Sequence, residues 1–222
     1  MDKNKPSILA DKDLSETQIY VTTQTYDRFA KEYADKWEWN QKTIKEIEKY
    51  NIKPFQKLVA KGSNVLIVGS RTGRDYSLLT KAGYQCLGVE PSFGFLAEAV
   101  KRVKGGLFIR LDLRDLPFMP ESFEAIYADA LTHIPKKDLG DTLKDFRIFL
   151  VKKGFLYLSL KLGKSGLLVD KSIGGKRFMT LYSKEEIVRK VERTGFSIVW
   201  SEESSHTDPS HPRWLSLMLK KQ

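Results

Sequence analysis

An apolar strand that runs into a glycine turn and then a helix constrains this chain more than any other feature. It reads Val65-Leu66-Ile67-Val68-Gly69-Ser70-Arg71-Thr72-Gly73-Arg74-Asp75. A second apolar run, Cys86-Leu87-Gly88-Val89, ends on Glu90, seventeen residues after Gly73. A strand, a glycine turn, a helix, a strand and an acid, in that order, form the nucleoside-binding half of a doubly wound α/β domain. Glycines at 69 and 73 let the backbone turn tightly and approach a ligand. A carboxylate at Glu90 stands where it can accept both hydroxyls of a ribose. The competing reading of Glu90 is a solvated acid at a helix start.

The rest of the chain alternates in the same way. Helical spacing of Tyr26, Phe29, Ala30 and Tyr33 predicts a first helix over Thr25 to Trp37, after a loose polar start at residues 1–18. A second helix is expected over Gln41 to Leu58, interrupted near Pro54. Strands follow at Asn64–Val68, Gln85–Val89, Leu107–Ile109, Phe123–Ala128 and Phe155–Leu160. Helices are expected near Arg74–Lys81, after the Ser92 cap, and through Leu139, Leu143, Phe146 and Leu150. Leu96, Ala99, Val100 and Val103 mark the apolar face of the helix after Ser92. Ser183-Lys184-Glu185-Glu186 is a capping box opening a helix that ends at Gly195. Ser197–Trp200 and Trp214–Leu219 are the last strands. Alternation of this kind gives a mainly parallel sheet with helices on both faces. Its ligands bind beyond the carboxyl ends of the strands, which selects Gly69–Gly73, Glu90, Asp112 and Ala128–His133.

Composition excludes several classes. No apolar run approaches the ~20 residues that span a bilayer, and the polar N-terminus lacks the apolar core of a secretory signal. Cys86 is the only cysteine, so no disulfide framework or thiolate cluster is expected. Three histidines with no neighbouring cysteine give no metal-site spacing. These features fit a cytoplasmic protein, a monomer or a homodimer. The formal net charge of +10 raises the question of nucleic acid. The lysines are scattered among acids with no aromatic-interleaved basic block, so a lysine-rich surface is the favoured reading.

With these motifs in order, the chain resembles a class I S-adenosylmethionine-dependent methyltransferase of the broad small-molecule, type 11-like group. Val65–Asp75 resembles the family's first motif and Gly88-Val89-Glu90-Pro91-Ser92 its ribose motif. Asp112 through Phe118, with Asp112 and Leu113 foremost, resembles its adenine motif. Ser122–Ala128 resembles the fourth strand, Leu131-Thr132-His133-Ile134-Pro135 the segment after it, and Leu150–Gly154 the turn before strand five. Tyr26–Tyr33 resembles a cap helix that folds over the cofactor. The resemblance implies a Rossmann-like seven-stranded sheet with an antiparallel last strand. It implies a helical cap over residues 1–60 and a methyltransferase domain over 61–222. It implies S-adenosyl-L-methionine as cofactor, held by Tyr26, Gly69, Ser70, Arg71, Gly73, Glu90, Pro91, Asp112, Leu113 and Ala128. The partner is then a small-molecule acceptor.

Two positions inside the first motif depart from the family pattern, and Leu150–Gly154 ends in Gly154-Phe155 where a second glycine is usual. Ile67 stands where an acid usually ends strand one, and Arg71 replaces the middle glycine of the loop. Both move local charge in the positive direction, so binding of a cationic cofactor is expected to weaken unless something compensates. Asp112 has its own competing reading, a surface acid paired with Arg110 or Arg114. Methyl transfer from a sulfonium needs no protein nucleophile, but some acceptors need a general base. His133 is the candidate, against a structural hydrogen-bonding role. Tyr33 reads as core. The glycine-punctuated stretch Lys161–Leu181, with Arg177 and Phe178, is expected to be a lid or a surface loop. His206, Asp208 and His211 fall in a polar loop. An RNA or tRNA methyltransferase of the same fold, and a methyltransferase-like protein with weakened or lost cofactor binding, remain the alternatives.

Overall fold

The computed structural model describes residues 11–129, 131–203 and 213–222. The late loop that holds His206, Asp208 and His211 lies outside them. Chain order gives α1 (Asp11–Tyr33), α2 (Gln41–Ile47), α3 (Lys53–Gln56), β1 (Asn64–Val68), α4 (Arg74–Lys81), β2 (Gln85–Glu90) and α5 (Phe93–Arg102). Next come β3 (Phe108–Arg110), β4 (Phe123–Asp129), α6 (Leu139–Phe149) and β5 (Leu150–Lys161). β6 (Gly166–Asp170), β7 (Arg177–Leu181), α7 (Lys184–Arg193), β8 (Phe196–Glu203) and β9 (Trp214–Lys221) complete the chain. A seven-stranded sheet has the order β3-β2-β1-β4-β5-β9-β8. Its first five strands pair in parallel, and β9 runs antiparallel to both β5 and β8.

Both faces of β1 are buried, which is why it reads as an unbroken apolar run. Leu66 and Val68 join Leu139, Leu143 and Phe146 of α6 and Ile187 and Val191 of α7 on one face. Val65 and Ile67 join Phe55 of α3 and Tyr76 and Leu79 of α4 on the other. The chain leaves β1 toward β2 and β3 on one side and returns to β4 and β5 on the other, so the switch point lies between β1 and β4.

Four expectations are corrected. Residues 11–18 are helical, because α1 starts at Asp11. Over residues 15–22 the buried side chains are Ser15 and Thr22, hydroxyls that give no apolar period to read. The break expected at Pro54 falls earlier, in a π-turn at Glu48–Ile52. Pro54 itself sits in the first turn of α3, where its missing N–H costs nothing. The buried face of α5 turns toward Phe95 and Ala99 and leaves Val100 exposed. The cause is α1: Asp27 Oδ1 accepts from Ser92 Oγ at 2.7 Å and from the Gly94 N–H at 2.9 Å. A Cβ on Gly94 would come within 2.6 Å of the Asp27 carbonyl oxygen. Finally, Lys161–Leu181 contains a β-hairpin, β6 paired antiparallel with β7. It is tied to α1 by Phe178 N–H donating to Thr22 Oγ1 at 3.0 Å and Thr25 Oγ1 donating to the Lys176 carbonyl at 2.6 Å.

Candidate functional site

A cleft of about 1090 Å³ opens above the carboxyl ends of β1, β2, β4 and β5, beneath α1 and the segment 36–51. That is at the upper end of ordinary ligand pockets, room for two small molecules. Its floor is the loop after β1. Gly69 and Ser70 donate their N–H groups to the Val89 carbonyl at 2.9 and 3.0 Å. Gly69 has φ 73°, and a Cβ there would meet nothing closer than Leu113 at 3.7 Å, so its backbone faces open cleft. Gly73 does different work. Its φ is 86°, and a Cβ would lie 3.1 Å from Val103 and 3.3 Å from Ala99. Gly73 is therefore required for packing the loop on α5.

Arg71 takes the left-handed conformation, φ 51°, normally left to glycine. Its guanidinium reaches Glu38 at 3.0 Å, Asp75 at 2.6 Å and Asp129 at 2.7 Å. Arg74 joins the same acids, with Asp75 at 2.7 Å. Two cations thus face three carboxylates in a group nearly closed to solvent. Burial alone would raise the Asp75 carboxyl; Arg74 and Arg71 outweigh it and hold it below its ordinary range. The positive shift expected from Ile67 and Arg71 is corrected here, because Asp75, Asp129 and Glu38 over-compensate it. Glu38 also accepts from Thr72 Oγ1 and from the Thr72 N–H at 3.3 Å, and Trp39 Nε1 donates to Thr72 Oγ1 at 2.9 Å. These contacts fasten the segment after α1 to the glycine loop.

Glu90 ends β2 at 4% exposure, which removes the reading of it as a solvated acid. Its Oε2 accepts the Arg71 N–H at 3.0 Å and its Oε1 the Ser92 N–H at 2.9 Å. Burial pushes its carboxyl up to about 7, against the two N–H donors that favour the ion. Asp112, half-buried on the adjoining wall, accepts from Arg114 through both oxygens, with the shortest contact 2.6 Å. Arg114 continues to Glu16 of α1. Pairing with Arg114 is thus one of the two roles weighed for Asp112.

On the opposite wall α1 meets β7 and the turn after β4. His133 Nδ1 lies 2.7 Å from the Phe178 carbonyl, which can only accept, so Nδ1 carries the proton. Nε2 then accepts from Tyr26 Oη at 2.7 Å. Arg177 donates to the same Tyr26 oxygen at 3.1 Å and to Asp170 at 2.8 Å. Burial, with Arg177, Lys161 and Arg71 nearby, depresses the His133 imidazole to about 4, although the Phe178 carbonyl favours its charged form. Burial raises the Tyr26 phenol well above its ordinary value. This is a neutral, fully engaged histidine with an oriented tyrosine.

The cleft thus brings together Tyr26, Gly69, Arg71, Glu90, Pro91, Asp112, Leu113 and His133. Ser70, Gly73 and Ala128 are not in its lining. Ser70 is buried at 1% exposure, and Ala128 is buried in the core, in register with Leu158 of β5. The next residue, Asp129, lines the cleft instead, because successive strand residues point to opposite faces. Asp129 falls within the strand-end stretch Ala128–His133 and Lys161 opens the expected lid segment, but neither is singled out by the sequence, and Glu38, Arg74 and Ser159 are given no role by it. An acid closing the apolar run Phe123–Ala128 was the readable signal for Asp129; Glu38 had none.

Comparison with known proteins follows the same lines. Residues 65–154 match a family profile described as a methyltransferase domain. No curated protein sequence matches the chain. Among solved structures, the 1,6-didemethyltoxoflavin-N1-methyltransferase of Burkholderia thailandensis aligns with a TM-score of 0.74 at 14% identity, over 100% of this chain and 97% of that one. A Pyrococcus horikoshii protein aligns at 0.71 and 16%, over 86% and 99%. The magnesium protoporphyrin IX methyltransferase of Synechocystis aligns at 0.68 and 17%, over 98% and 100%. These likenesses establish the fold.

Proposed function

We propose, from the premise that this chain carries a methyltransferase domain on the class I fold, that it binds S-adenosylmethionine and methylates a small-molecule acceptor. The observation that carries the reading is Glu90, a buried carboxylate at the end of β2 facing a cleft at the switch point. When bound, the cofactor supplies an electrophilic methyl on a sulfonium. The chain fits such a group: Gly69 leaves its backbone bare toward the cleft, and the Arg71 group presents three carboxylates to two cations. Glu90 would take the ribose hydroxyls, Pro91 and Leu113 would flank the base, and Asp112 would accept its amine through lone pairs that Arg114 leaves free.

The small-molecule acceptor is supported by the enclosing cap and by the names of two of the structural neighbours. Tyr26 Oη, whose proton is given to His133 and whose oxygen takes one hydrogen bond from Arg177, borders the cleft and can accept a further hydrogen bond from the acceptor. His133, neutral at physiological pH with both nitrogens engaged, acts by positioning Tyr26. A proton leaving the acceptor could pass to the Tyr26 oxygen only as the phenol proton moves to Nε2. An imidazole near 4 makes that transfer weak. The acceptor is therefore expected to bring its own available lone pair.

Calorimetric titration with S-adenosylmethionine and S-adenosylhomocysteine tests the cofactor. Micromolar binding is expected for both, and no heat at millimolar ligand would remove the reading.

A further inference from the structure

Behind Tyr26, strands β5 and β9 lay a polar shelf along one wall of the cleft. Ser159 pairs in register with Ser216, and Lys161 with Trp214. All four residues line the cleft. Ser159 and Lys161 are two apart on one strand and so share a face. The Lys161 ammonium lies 3.1 Å from the Met179 thioether sulfur and 5.2 Å from the centre of the Trp214 ring. No carboxylate of the described residues pairs with it. The nearest acid of β6, Asp170, is taken by Arg177 at 2.8 Å and by Ser172. Glu203, at the mouth, is taken by Lys184 and Arg213 at 2.8 and 3.0 Å. A thioether is a weak acceptor, and an aromatic face returns only a little of the hydration that an ammonium loses. Burial, with the Arg177 charge, accordingly lowers the ammonium from its ordinary value.

We infer that the acceptor carries a carboxylate, which Lys161 binds with the hydroxyls of Ser159 and Ser216 beside it. The inference rests on the methyltransferase reading and names the acceptor class for it. The Lys161 ammonium, which no carboxylate of the described residues pairs with, supplies one positive charge; of the acids flanking the shelf, Asp129 beside Ser159 is held by Arg71 and Arg74, and Glu202 beside Ser216 is exposed to solvent. Arg177, the other cation of this wall, is spent on Asp170, Ser172 and Tyr26. A dianion such as a phosphate monoester would leave half of its charge unmet. Lys161 is thus a specificity residue that touches the substrate, and the group to be methylated lies elsewhere on it, toward Tyr26.

The test uses the full chain saturated with S-adenosylhomocysteine and two probes, 4-hydroxybenzoate and its neutral analogue 4-hydroxybenzamide. Calorimetry or ligand-observed magnetic resonance gives each affinity. The carboxylate is expected to bind at least ten-fold more tightly than the amide in the wild type. Lys161→Gln should abolish that preference, and Lys161→Arg should keep most of it. Equal binding of the two probes by the wild type, or an unchanged preference in Lys161→Gln, overturns the inference. The wild-type comparison decides even if the glutamine variant does not fold. Failure of S-adenosylhomocysteine to bind, with the carboxylate preference intact, would refute the methyltransferase reading and leave the anion site standing. Cofactor binding with no carboxylate preference would do the reverse.

Discussion

At the residue scale, Arg71 shows how one departure from a motif is absorbed. A non-glycine side chain in the left-handed region costs about 1–2 kcal/mol. Its guanidinium then joins a buried group in which every acid depends on it. Arg71→Gly relieves the backbone but leaves Glu38, Asp75 and Asp129 with Arg74 alone. Breaking a buried pair typically costs 3–5 kcal/mol, so a net loss of about 2–3 kcal/mol is expected from chemical denaturation. The same variant should raise the affinity for S-adenosylmethionine relative to S-adenosylhomocysteine, since the two differ by the sulfonium charge. An unchanged ratio would separate Arg71 from the cofactor.

Glu90 and His133 give opposite pH signatures. Glu90 in the folded chain, near 7, binds its proton more tightly than the ordinary carboxyl at 4.5. Between those values the native state holds more protons, so this group makes stability fall as pH rises, by roughly 3 kcal/mol in all. His133, near 4 against an ordinary 6.5, makes stability rise with pH over its own window. The two nearly cancel between about 4.5 and 6.5. Glu90→Gln should therefore steepen the rise of melting temperature over that range. Ribose hydroxyls donate to the ionised carboxylate. Affinity for S-adenosylhomocysteine should thus climb with pH and level off above 7, with proton release that disappears in Glu90→Gln.

At the element scale, the cap is held by polar contacts. Thr22, Thr25, Asp27 and Glu38 carry the docking of α1 and the turn after it onto β7, α5 and the glycine loop. Thr22→Val keeps the shape but removes the acceptor for the Phe178 N–H. It should cost about 1–3 kcal/mol and speed amide exchange in β6 and β7 with little change in β1 or β4. This polar docking explains what the sequence hid. β1, α4 and the Ser183 capping box were legible because apolar period and cap chemistry agree there. Residues 15–25 of α1 bury the hydroxyls of Ser15, Thr22 and Thr25, which have no hydrophobic period. The β6–β7 hairpin depends on α1, a partner some 150 residues away. Among site residues, Glu90 was readable from spacing after a glycine turn. Glu38 was not, because a π-turn places it. Ala128 and Asp129 differ by one residue, the step that sends a strand side chain to the other face.

At the scale of the whole molecule, the +10 charge is the remaining question. Many of the cations are matched locally, as in Lys31–Asp35, Arg102–Glu98 and Lys144–Asp141. Any retention on nucleic acid should then be electrostatic and fall steeply between 50 and 200 mM salt. Affinity for S-adenosylhomocysteine should change less than two-fold over the same range, since Glu90, which would take its ribose, is buried. Retention that survives 200 mM salt would favour a nucleic-acid acceptor. The order of the sheet bears on how the molecule is made. β8 has no neighbour in the seven-stranded sheet except β9, which follows it in the chain. On a ribosome, β8 emerges before the strand that joins it to the sheet exists. The wall bearing Trp214 and Ser216 consequently forms after the strands that carry the glycine loop and Glu90. A nascent chain halted before residue 214 would show a glycine loop and Glu90 in place beside an unclosed cleft.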